Sequence, residues 1–166
     1  MTKMGFETGR KVRKTKYGNK PVLLEFGSDP PRQIQFKSML EGRWANYLER
    51  QRMDGEIYWW AYEPLQLVFS DTNTTDPRVY TPDFVVLTRE MRLIIYETKG
   101  MLKAKDHKKF RLTVAQFPKF DAIYLVIANR TKQTPQRYAS AAKYSTLIIA
   151  GPLLQEKFGD VKAGVI

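Results

Sequence analysis

The sequence predicts an α/β fold with a mixed central β-sheet flanked by helices. Between residues 80 and 100, two β-branched and aromatic runs on either side of a polar turn indicate an antiparallel hairpin. Apolar side chains recur at helical spacing in the segment 36–53 that precedes it. After residue 100, helical and strand patterns alternate. A helix, a meander and this alternation together predict the mixed sheet.

The first predicted elements are a short strand at residues 21–26 and a helix. A Gly-Ser-Asp-Pro-Pro run ends the strand. Ser38 is a suitable N-cap with Glu41 three residues later, and apolar residues from Phe36 onward keep helical spacing up to Met53, where an Asp-Gly pair ends the helix. In a simple capping box, Glu41 would reach back to the Ser38 backbone and have no further role.

Two strands are predicted next, at residues 57–63 and 65–69, and the polar run 70–78 predicts a loop. The first of these strands contains four aromatic residues close together: Tyr58, Trp59, Trp60 and Tyr62. Such residues can stack on bases, but aromatic side chains at this density more often fill the space between a sheet and a helix. We therefore expect them in the core.

The hairpin has a register that its sequence predicts. If the turn is centred near residue 90, antiparallel partners have numbers that sum to about 180, so Val85 faces Ile95. The same register places Asp83 opposite Glu97. Directly opposed residues lie on one face of the sheet, with Cβ atoms roughly 5 Å apart. The two carboxylates are therefore expected to be neighbours.

Three charged side chains converge at this end of the predicted hairpin. Because side chains alternate along a strand, Glu97 and Lys99 share the face of Asp83, and Thr98 points away from it. Two carboxylates this close repel each other unless a cation lies between them. Magnesium or manganese suits such oxygen ligands and completes its shell with waters and substrate phosphate. As isolated residues, the two carboxylates would instead be solvated groups at a turn and a strand end.

The segment after residue 100 predicts a helix over about 104–116 with a strongly basic side. Between residues 99 and 119, seven basic side chains accompany one acid, Asp106. Lysines so near the carboxylates would anchor a phosphate backbone without reading base sequence, although a solvated helix face has the same pattern. The candidate nucleic-acid contacts in this segment are Lys103, Lys105, Lys108 and Lys109. A strand at 122–128, a helix at 135–144 and a strand at 147–150 complete the chain.

The formal net charge of +11 is the usual electrostatic footprint of a protein that binds nucleic acid. Residues 1–20 hold seven basic side chains and one acid, so this segment accounts for +6 of that charge. Few large apolar residues lie in it, which predicts a flexible arm, although a solubility tail would have the same composition. Residues 21–166 would then form a single domain. The candidate nucleic-acid contacts in the arm are Lys11, Arg13, Lys14 and Lys16.

The chain has no cysteine, which excludes zinc–thiolate sites, thiol nucleophiles and a disulfide framework. No apolar run of signal-peptide length precedes residue 21, and the apolar stretch near the C-terminus is interrupted by Gly151 and Pro152. We therefore expect a soluble cytoplasmic protein with no membrane partner.

The run Pro82-Asp83, followed by Glu97-Thr98-Lys99, resembles the core motif of the PD-(D/E)XK nuclease superfamily. The segment 36–43 looks like the start of the first core helix of that superfamily, which often supplies a further glutamate, here Glu41. The resemblance spans about residues 36–129 and includes the order helix, three antiparallel strands, helix, strand. It implies a restriction-endonuclease-like core, most similar to that of small phage-encoded endonucleases.

This resemblance implies a DNA endonuclease that depends on Mg²⁺ or Mn²⁺ and acts in phage DNA processing or recombination in the host cytoplasm. Asp83 and Glu97 would bind the metal, and Glu41 would complete or support the site. Lys99 would position the attacking water. Two alternatives stay open: a Holliday-junction resolvase that acts on branched DNA as a homodimer, and a non-catalytic nucleic-acid-binding protein on a degenerate nuclease fold.

Overall fold

A computed structural model describes residues 20–27, 30–101, 103, 106–151, 153 and 154. The described strands are β1 (Val22–Phe26), β2 (Arg32–Phe36), β3 (Ile57–Tyr62), β4 (Leu67–Val68), β5 (Val79–Tyr80), β6 (Phe84–Thr88), β7 (Leu93–Lys99), β8 (Phe120–Ile127) and β9 (Thr146–Ile149). The described helices are α1 (Met39–Met53), α2 (His107–Gln116) and α3 (Thr134–Tyr138). None of these helices is long and apolar enough to cross a lipid bilayer.

The main sheet has five strands in the order β3-β6-β7-β8-β9. Strands β3, β6 and β7 are antiparallel, whereas β7, β8 and β9 run parallel. The parallel half requires crossovers, which the segments containing α2 and α3 provide. Two further antiparallel pairs, β1–β2 and β4–β5, form separate two-stranded sheets. The predicted mixed α/β fold is therefore confirmed.

The main sheet is covered on both faces because its side chains alternate in direction. Val86 of β6 packs in one buried cluster with Trp44 and Leu48 of α1. The preceding residue, Val85, packs in a second buried cluster with Phe110 of α2. Helices therefore occupy both faces of the main sheet.

Most predicted elements near the N-terminus are confirmed. The strand predicted at residues 21–26 is β1, and α1 begins after Ser38 and ends at Met53 as predicted. The hydroxyl of Ser38 accepts a hydrogen bond from the Glu41 N–H at 3.2 Å. The assignment of Phe36 to the helical pattern is wrong. This residue ends β2, a strand whose mostly polar sequence concealed it.

The expectation that the four aromatic residues of β3 all fill the core is wrong for two of them. Trp60 is 1% exposed and Tyr62 packs against the same buried cluster, but Tyr58 and Trp59 are 51% and 44% exposed. The register of β3 against β6 shifts between Ile57 and Trp59, which interrupts the alternation. Both exposed rings lie on an edge strand of the main sheet.

The predicted loop at residues 70–78 is confirmed, and several polar contacts fasten it to α2. Asp76 Oδ2 lies 2.8 Å from Arg111 Nη2. The Ser70 N–H donates to Gln116 Oε1 at 2.9 Å, and the Ser70 carbonyl accepts from Gln116 Nε2 at 2.8 Å. The loop and the helix are thus held together at two separate points.

The C-terminal elements agree with the prediction in kind and differ in length. The strand predicted at 122–128 is β8, and the strand predicted at 147–150 is β9. The helix predicted at 135–144 is too long, because α3 ends at Tyr138 and turns follow it. For the helix predicted at 104–116, residues 104 and 105 lie outside the described part of the chain, and α2 covers the remainder from His107.

Candidate active site

The predicted hairpin register is confirmed, with Val85 paired to Ile95. Asp83 lies immediately before β6, and Glu97 and Lys99 lie at the C-terminal end of β7. The hairpin thus places the three charged side chains at one end of the main sheet, as the sequence predicts. This end is remote along both strands from the turn at residues 88–91.

Glu97 is the central group of this cluster and is only 2% exposed. Its Oε1 lies 2.8 Å from Lys99 Nζ and also contacts Lys109 Nζ, while its Oε2 accepts a hydrogen bond from the Tyr80 hydroxyl at 2.8 Å. Burial by itself would raise the pKa of Glu97, but the ammonium groups of Lys109 and Lys99 outweigh it and hold the pKa below its ordinary value. The buried carboxylate is therefore ionised.

The two lysines on Glu97 have opposite pKa shifts. Burial would lower the pKa of Lys99, but the charge and hydrogen bond of Glu97, together with the charges of Asp106 and Asp83, outweigh it and raise the pKa above its ordinary value. Burial lowers the pKa of Lys109, and Glu97 offsets this only in part because Lys99 adds to the lowering. The Lys109 ammonium also lies 4.5 Å from the centre of the Tyr80 ring, a cation–π distance. Lys99 is thus the more firmly charged of the two.

Asp83 is held by Thr98. Its Oδ2 accepts hydrogen bonds from the Thr98 N–H and from the Thr98 hydroxyl, both at 2.8 Å. Burial raises the pKa of Asp83 to about 7, the charge of Glu97 adds to this rise, and Lys99 and the two Thr98 hydrogen bonds oppose it. The two carboxylates therefore repel each other, as expected for like charges in a poorly solvated site.

The prediction that Thr98 points away from Asp83 is wrong. Asp83 precedes the first residue of β6, so its side chain is not bound by the alternation of the paired strands and reaches Thr98 instead. The sequence contained a weak signal for this, because a threonine next to a carboxylate pair can donate a hydrogen bond through both its backbone and its hydroxyl.

Glu41 lies in the first turn of α1 and is 8% exposed. Its Oε2 accepts hydrogen bonds from the Lys37 N–H and from the Tyr62 hydroxyl, each at 2.7 Å. The carboxylate thus caps the residue before Ser38 rather than Ser38 itself. In the described part of the chain, Glu41 shares no hydrogen bond or ion pair with the charged residues at the ends of β6 and β7.

Two residues that the sequence did not single out connect Glu41 with Asp83. Lys37 Nζ forms an ion pair with Glu63, and the Glu63 N–H donates to the Asp83 carbonyl at 2.8 Å. Burial would lower the pKa of Lys37, but the hydrogen bond and charge of Glu63, together with the charges of Glu41 and Asp83, outweigh it and raise the pKa. Glu63 has a φ of 44°, a left-handed conformation uncommon for this residue type. Only the folded chain brings these groups together.

A divalent cation needs oxygen ligands, and the cluster supplies two carboxylates. Among the described residues, no group of three Asp, Glu or His side chains is placed to hold a metal ion. Magnesium is, however, usually bound through one or two carboxylates with several waters. Asp83 and Glu97 fit that requirement, because they are close enough to raise one pKa through the charge of the other. Any cation bound there would share Glu97 with two ammonium groups.

Two of the predicted nucleic-acid contacts around α2 are engaged inside the protein. Lys108 Nζ lies 4.0 Å from Asp76 Oδ1, and Lys109 Nζ is held by Glu97. Lys103 lies just before α2. The other predicted contacts lie outside the described residues: Lys105 and the arm residues Lys11, Arg13, Lys14 and Lys16.

A basic α/β protein with a carboxylate–lysine cluster at the end of its central sheet has the features of an enzyme that cleaves phosphodiester bonds. A sequence model of the phage endonuclease I family matches residues 26–155, which is most of the chain. The protein therefore belongs to the phage endonuclease I family. Membership identifies it as a phage endonuclease, a hydrolase that acts on DNA. Searches of curated proteins and of solved structures found no match.

Proposed function

We propose that this protein is a metal-dependent DNA endonuclease with a PD-(D/E)XK site, and that it acts in phage DNA processing or recombination. The observation that carries the proposal is the cluster of Asp83, Glu97 and Lys99 at one end of β6 and β7, in a member of a phage endonuclease family. The chain order α1, antiparallel β3, β6 and β7, then α2 and β8 supports the superfamily assignment.

Asp83 and Glu97 would hold Mg²⁺ or Mn²⁺, which when bound would stabilise negative charge on the phosphate. Thr98 and Tyr80 orient the two carboxylates through the hydrogen bonds described above. Lys99, which keeps its proton, donates hydrogen bonds to the attacking water or to a non-bridging phosphate oxygen. The water oxygen forms a bond to phosphorus as the ester P–O bond breaks, the attacking water gives its proton to bulk water, and the leaving oxygen takes a proton from bulk water. No covalent enzyme intermediate is needed.

Glu41 has a supporting role in this proposal. It holds the Tyr62 hydroxyl and the Lys37 backbone, and its charge acts on Lys37 together with that of Asp83. A carboxylate near the cluster that is not one of its members orients neighbouring groups and waters, which is a common task of residues around a metal site.

The test of catalysis is the incubation of plasmid, linear duplex, branched DNA and RNA with the purified protein and Mg²⁺ or Mn²⁺. The expected result is cleavage of DNA that stops when EDTA removes the metal. A wild-type protein that leaves every substrate intact with both metals would overturn the proposal.

Calorimetric titration with Mn²⁺ separates an enzyme from the alternative of a binding module on a degenerate nuclease fold. An enzyme of the proposed kind binds the metal, and the binding is lost in Asp83→Asn. If the protein binds DNA tightly but the heat of Mn²⁺ titration is the same in wild type and Asp83→Asn, the protein is the non-catalytic module.

A Holliday-junction resolvase is the narrower form of the proposed function. The charge distribution favours it, because the basic segment 1–20 could contact additional arms of a branched substrate. A panel of labelled four-way junctions, flaps and linear duplexes tests it. Paired symmetric nicks on four-way junctions alone would identify the resolvase, and sedimentation of the complex would establish whether a homodimer acts.

Deleting residues 1–20 is expected to weaken DNA binding and to leave the metal site intact. The segment carries +6 of the +11 charge, and log K falls with log salt by roughly 0.9 per neutralised phosphate. The deletion should therefore reduce the slope of log K against log salt by roughly 0.9 for each phosphate that the segment neutralises in wild type. The measurement is fluorescence anisotropy of labelled duplex over a salt series, with a glycine–serine segment of equal length as control. An unchanged slope would show that the segment does not contact DNA.

A further inference from the structure

A cleft of about 370 Å³ opens at the C-terminal ends of the parallel strands β7 and β8. Gly100 and Met101 line it after β7, Asn129 lines it after β8, and Lys132 and Arg137 line it from the segment around α3. The cleft begins one residue beyond Lys99, and each trans peptide spans about 3.8 Å between Cα atoms. Its lining therefore begins within one peptide of the candidate active site.

The charged side chains that line this cleft, Lys132 and Arg137, have one sign. From residue 122 to residue 155 the sequence contains no Asp or Glu, while it contains Arg130, Lys132, Arg137 and Lys143. A cleft walled by one sign of charge concentrates counter-ions of the opposite sign. The chemistry that it would attract is that of an anion.

The cations of the cleft differ from those of α2 in their partners. Lys109 is held by Glu97, and Arg111 is held by Asp76, so these charges are largely compensated within the protein. Neither Lys132 nor Arg137 forms an ion pair with another residue in the described ranges. Lys132 and Arg137 thus leave uncompensated positive charge in the cleft.

The other polar groups of the cleft suit a phosphate chain and give little base discrimination. Asn129 and Gln133 present exposed amides, while the Thr134 hydroxyl is already engaged because it accepts from the Thr131 N–H at 2.8 Å. The volume lies at the small end of the range for ligand pockets, roughly 300–1,000 Å³, and admits a sugar–phosphate unit. Contacts of this kind position a strand and do not read its sequence.

We propose that this cleft binds the sugar–phosphate backbone of the DNA strand next to the scissile phosphate, with Lys132 and Arg137 as the phosphate-binding side chains. The proposal rests on the proposed endonuclease function, because it takes the scissile phosphate to lie at Lys99. It gives the segment after β8 a role in substrate binding.

The test compares Lys132→Ala and the double variant Lys132→Ala/Arg137→Ala with Lys143→Ala. The last of these removes the same charge from the same acid-free segment, and Lys143 does not line the cleft, so it is the matched control. DNA affinity is measured in metal-free buffer by anisotropy over a salt series. Lys132→Ala should weaken DNA binding at least about threefold and reduce the slope of log K against log salt by roughly 0.9. The double variant should reduce that slope by about twice as much. Lys143→Ala should bind like wild type.

Two further measurements separate this proposal from the function on which it rests. Mn²⁺ binding by calorimetry should be the same in wild type and in Lys132→Ala, and cleavage should show a raised KM with an unchanged kcat. Arg137 is half-buried, so thermal unfolding checks whether the double variant still folds. If it does not fold, the result for Lys132→Ala alone decides. If Lys132→Ala and Lys143→Ala weaken binding equally, or if neither changes it, the proposal that the cleft binds DNA is overturned. If the wild-type protein cleaves no DNA, the proposed endonuclease function is overturned instead.

Discussion

Replacing Asp83 with asparagine is expected to abolish cleavage and leave DNA binding intact. The change keeps the side-chain volume and removes a proposed ligand charge, and metal stabilisation of a phosphoryl group is worth several kcal/mol, so the rate should fall by about 100-fold or more. In metal-free buffer the variant should bind DNA slightly better, because a negative charge facing the phosphate has gone. Cleavage under saturating magnesium and anisotropy without metal measure the two effects.

The same variant is expected to be more stable than wild type above neutral pH. Burial raises the pKa of Asp83 from its ordinary 3.8 to about 7, so the folded protein holds this proton more tightly than the unfolded chain does. The stability that Asp83 contributes through this bound proton is present below about pH 4 and is lost as the pH rises towards about 7. The shift corresponds to at most about 4 kcal/mol, and water at the half-buried carboxylate reduces it.

Thermal unfolding of wild type and Asp83→Asn in EDTA, from about pH 4 to about pH 8, measures this effect as a difference that grows with pH. Magnesium should raise the Tm of wild type at the upper pH and leave that of the variant unchanged. Asp121→Asn is the matched control, since Asp121 lies near the start of β8 and its carboxylate is 3.8 Å from Arg92. If Asp83→Asn cleaves DNA like wild type, the site is assigned wrongly, even if the protein is a nuclease.

Replacing Glu97 with glutamine is expected to abolish cleavage and to destabilise the protein, in contrast to Asp83→Asn. Glu97 is buried between two ammonium groups, and removal of its charge leaves Lys99 and Lys109 unpaired. Breaking a buried ion pair from one side costs about 3–5 kcal/mol, which lowers the Tm of a chain of this size by roughly 6–20 °C. Denaturant unfolding and thermal unfolding measure this destabilisation.

The double variant Glu97→Gln/Lys109→Met tests the physical cause of that destabilisation. Removing one ammonium group together with the carboxylate should recover part of the stability, with a coupling energy of about 0.5–3 kcal/mol in a double-mutant cycle. It should recover no cleavage. Strict additivity of the two single changes would mean that Lys109 is not a partner of Glu97, and restored cleavage would remove Glu97 from the catalytic group.

The hairpin that carries the site could be predicted because its information is local. The position of the turn and the alternation of apolar residues set the register, and Val85 pairs with Ile95 as predicted. The prediction failed one residue beyond the paired strands, where Asp83 turns to Thr98. Alternation constrains a side chain only while its backbone is part of the ladder.

The contacts that complete the cluster could not be predicted, since they join distant parts of the chain. Lys109 reaches Glu97 because α2 packs across the sheet through Phe110, and a pattern of lysines on a helix does not tell which of them faces inward. Glu63 and Lys37 meet only because β3 and the segment before α1 end at the same place. Strand β2 was hidden for another reason, as its exposed polar residues leave almost no apolar alternation.

The fastening of residues 70–78 to α2 bears on where the chain can be labelled or interrupted. Surface loops usually accept insertions and are nicked readily by proteases, but this loop would have to release Asp76 from Arg111 and Ser70 from Gln116 first. The turn at residues 88–91 is closed by its backbone, with the Thr88 N–H donating to the Arg92 carbonyl at 3.0 Å, and the Arg89 side chain joins it to the segment before β3 by donating to the Gly55 carbonyl at 2.6 Å. Met91 at its tip is 68% exposed. A fluorophore or an epitope placed at Met91 would sit at the far end of β6 and β7 from Glu97, where it can report on DNA binding without entering the cluster.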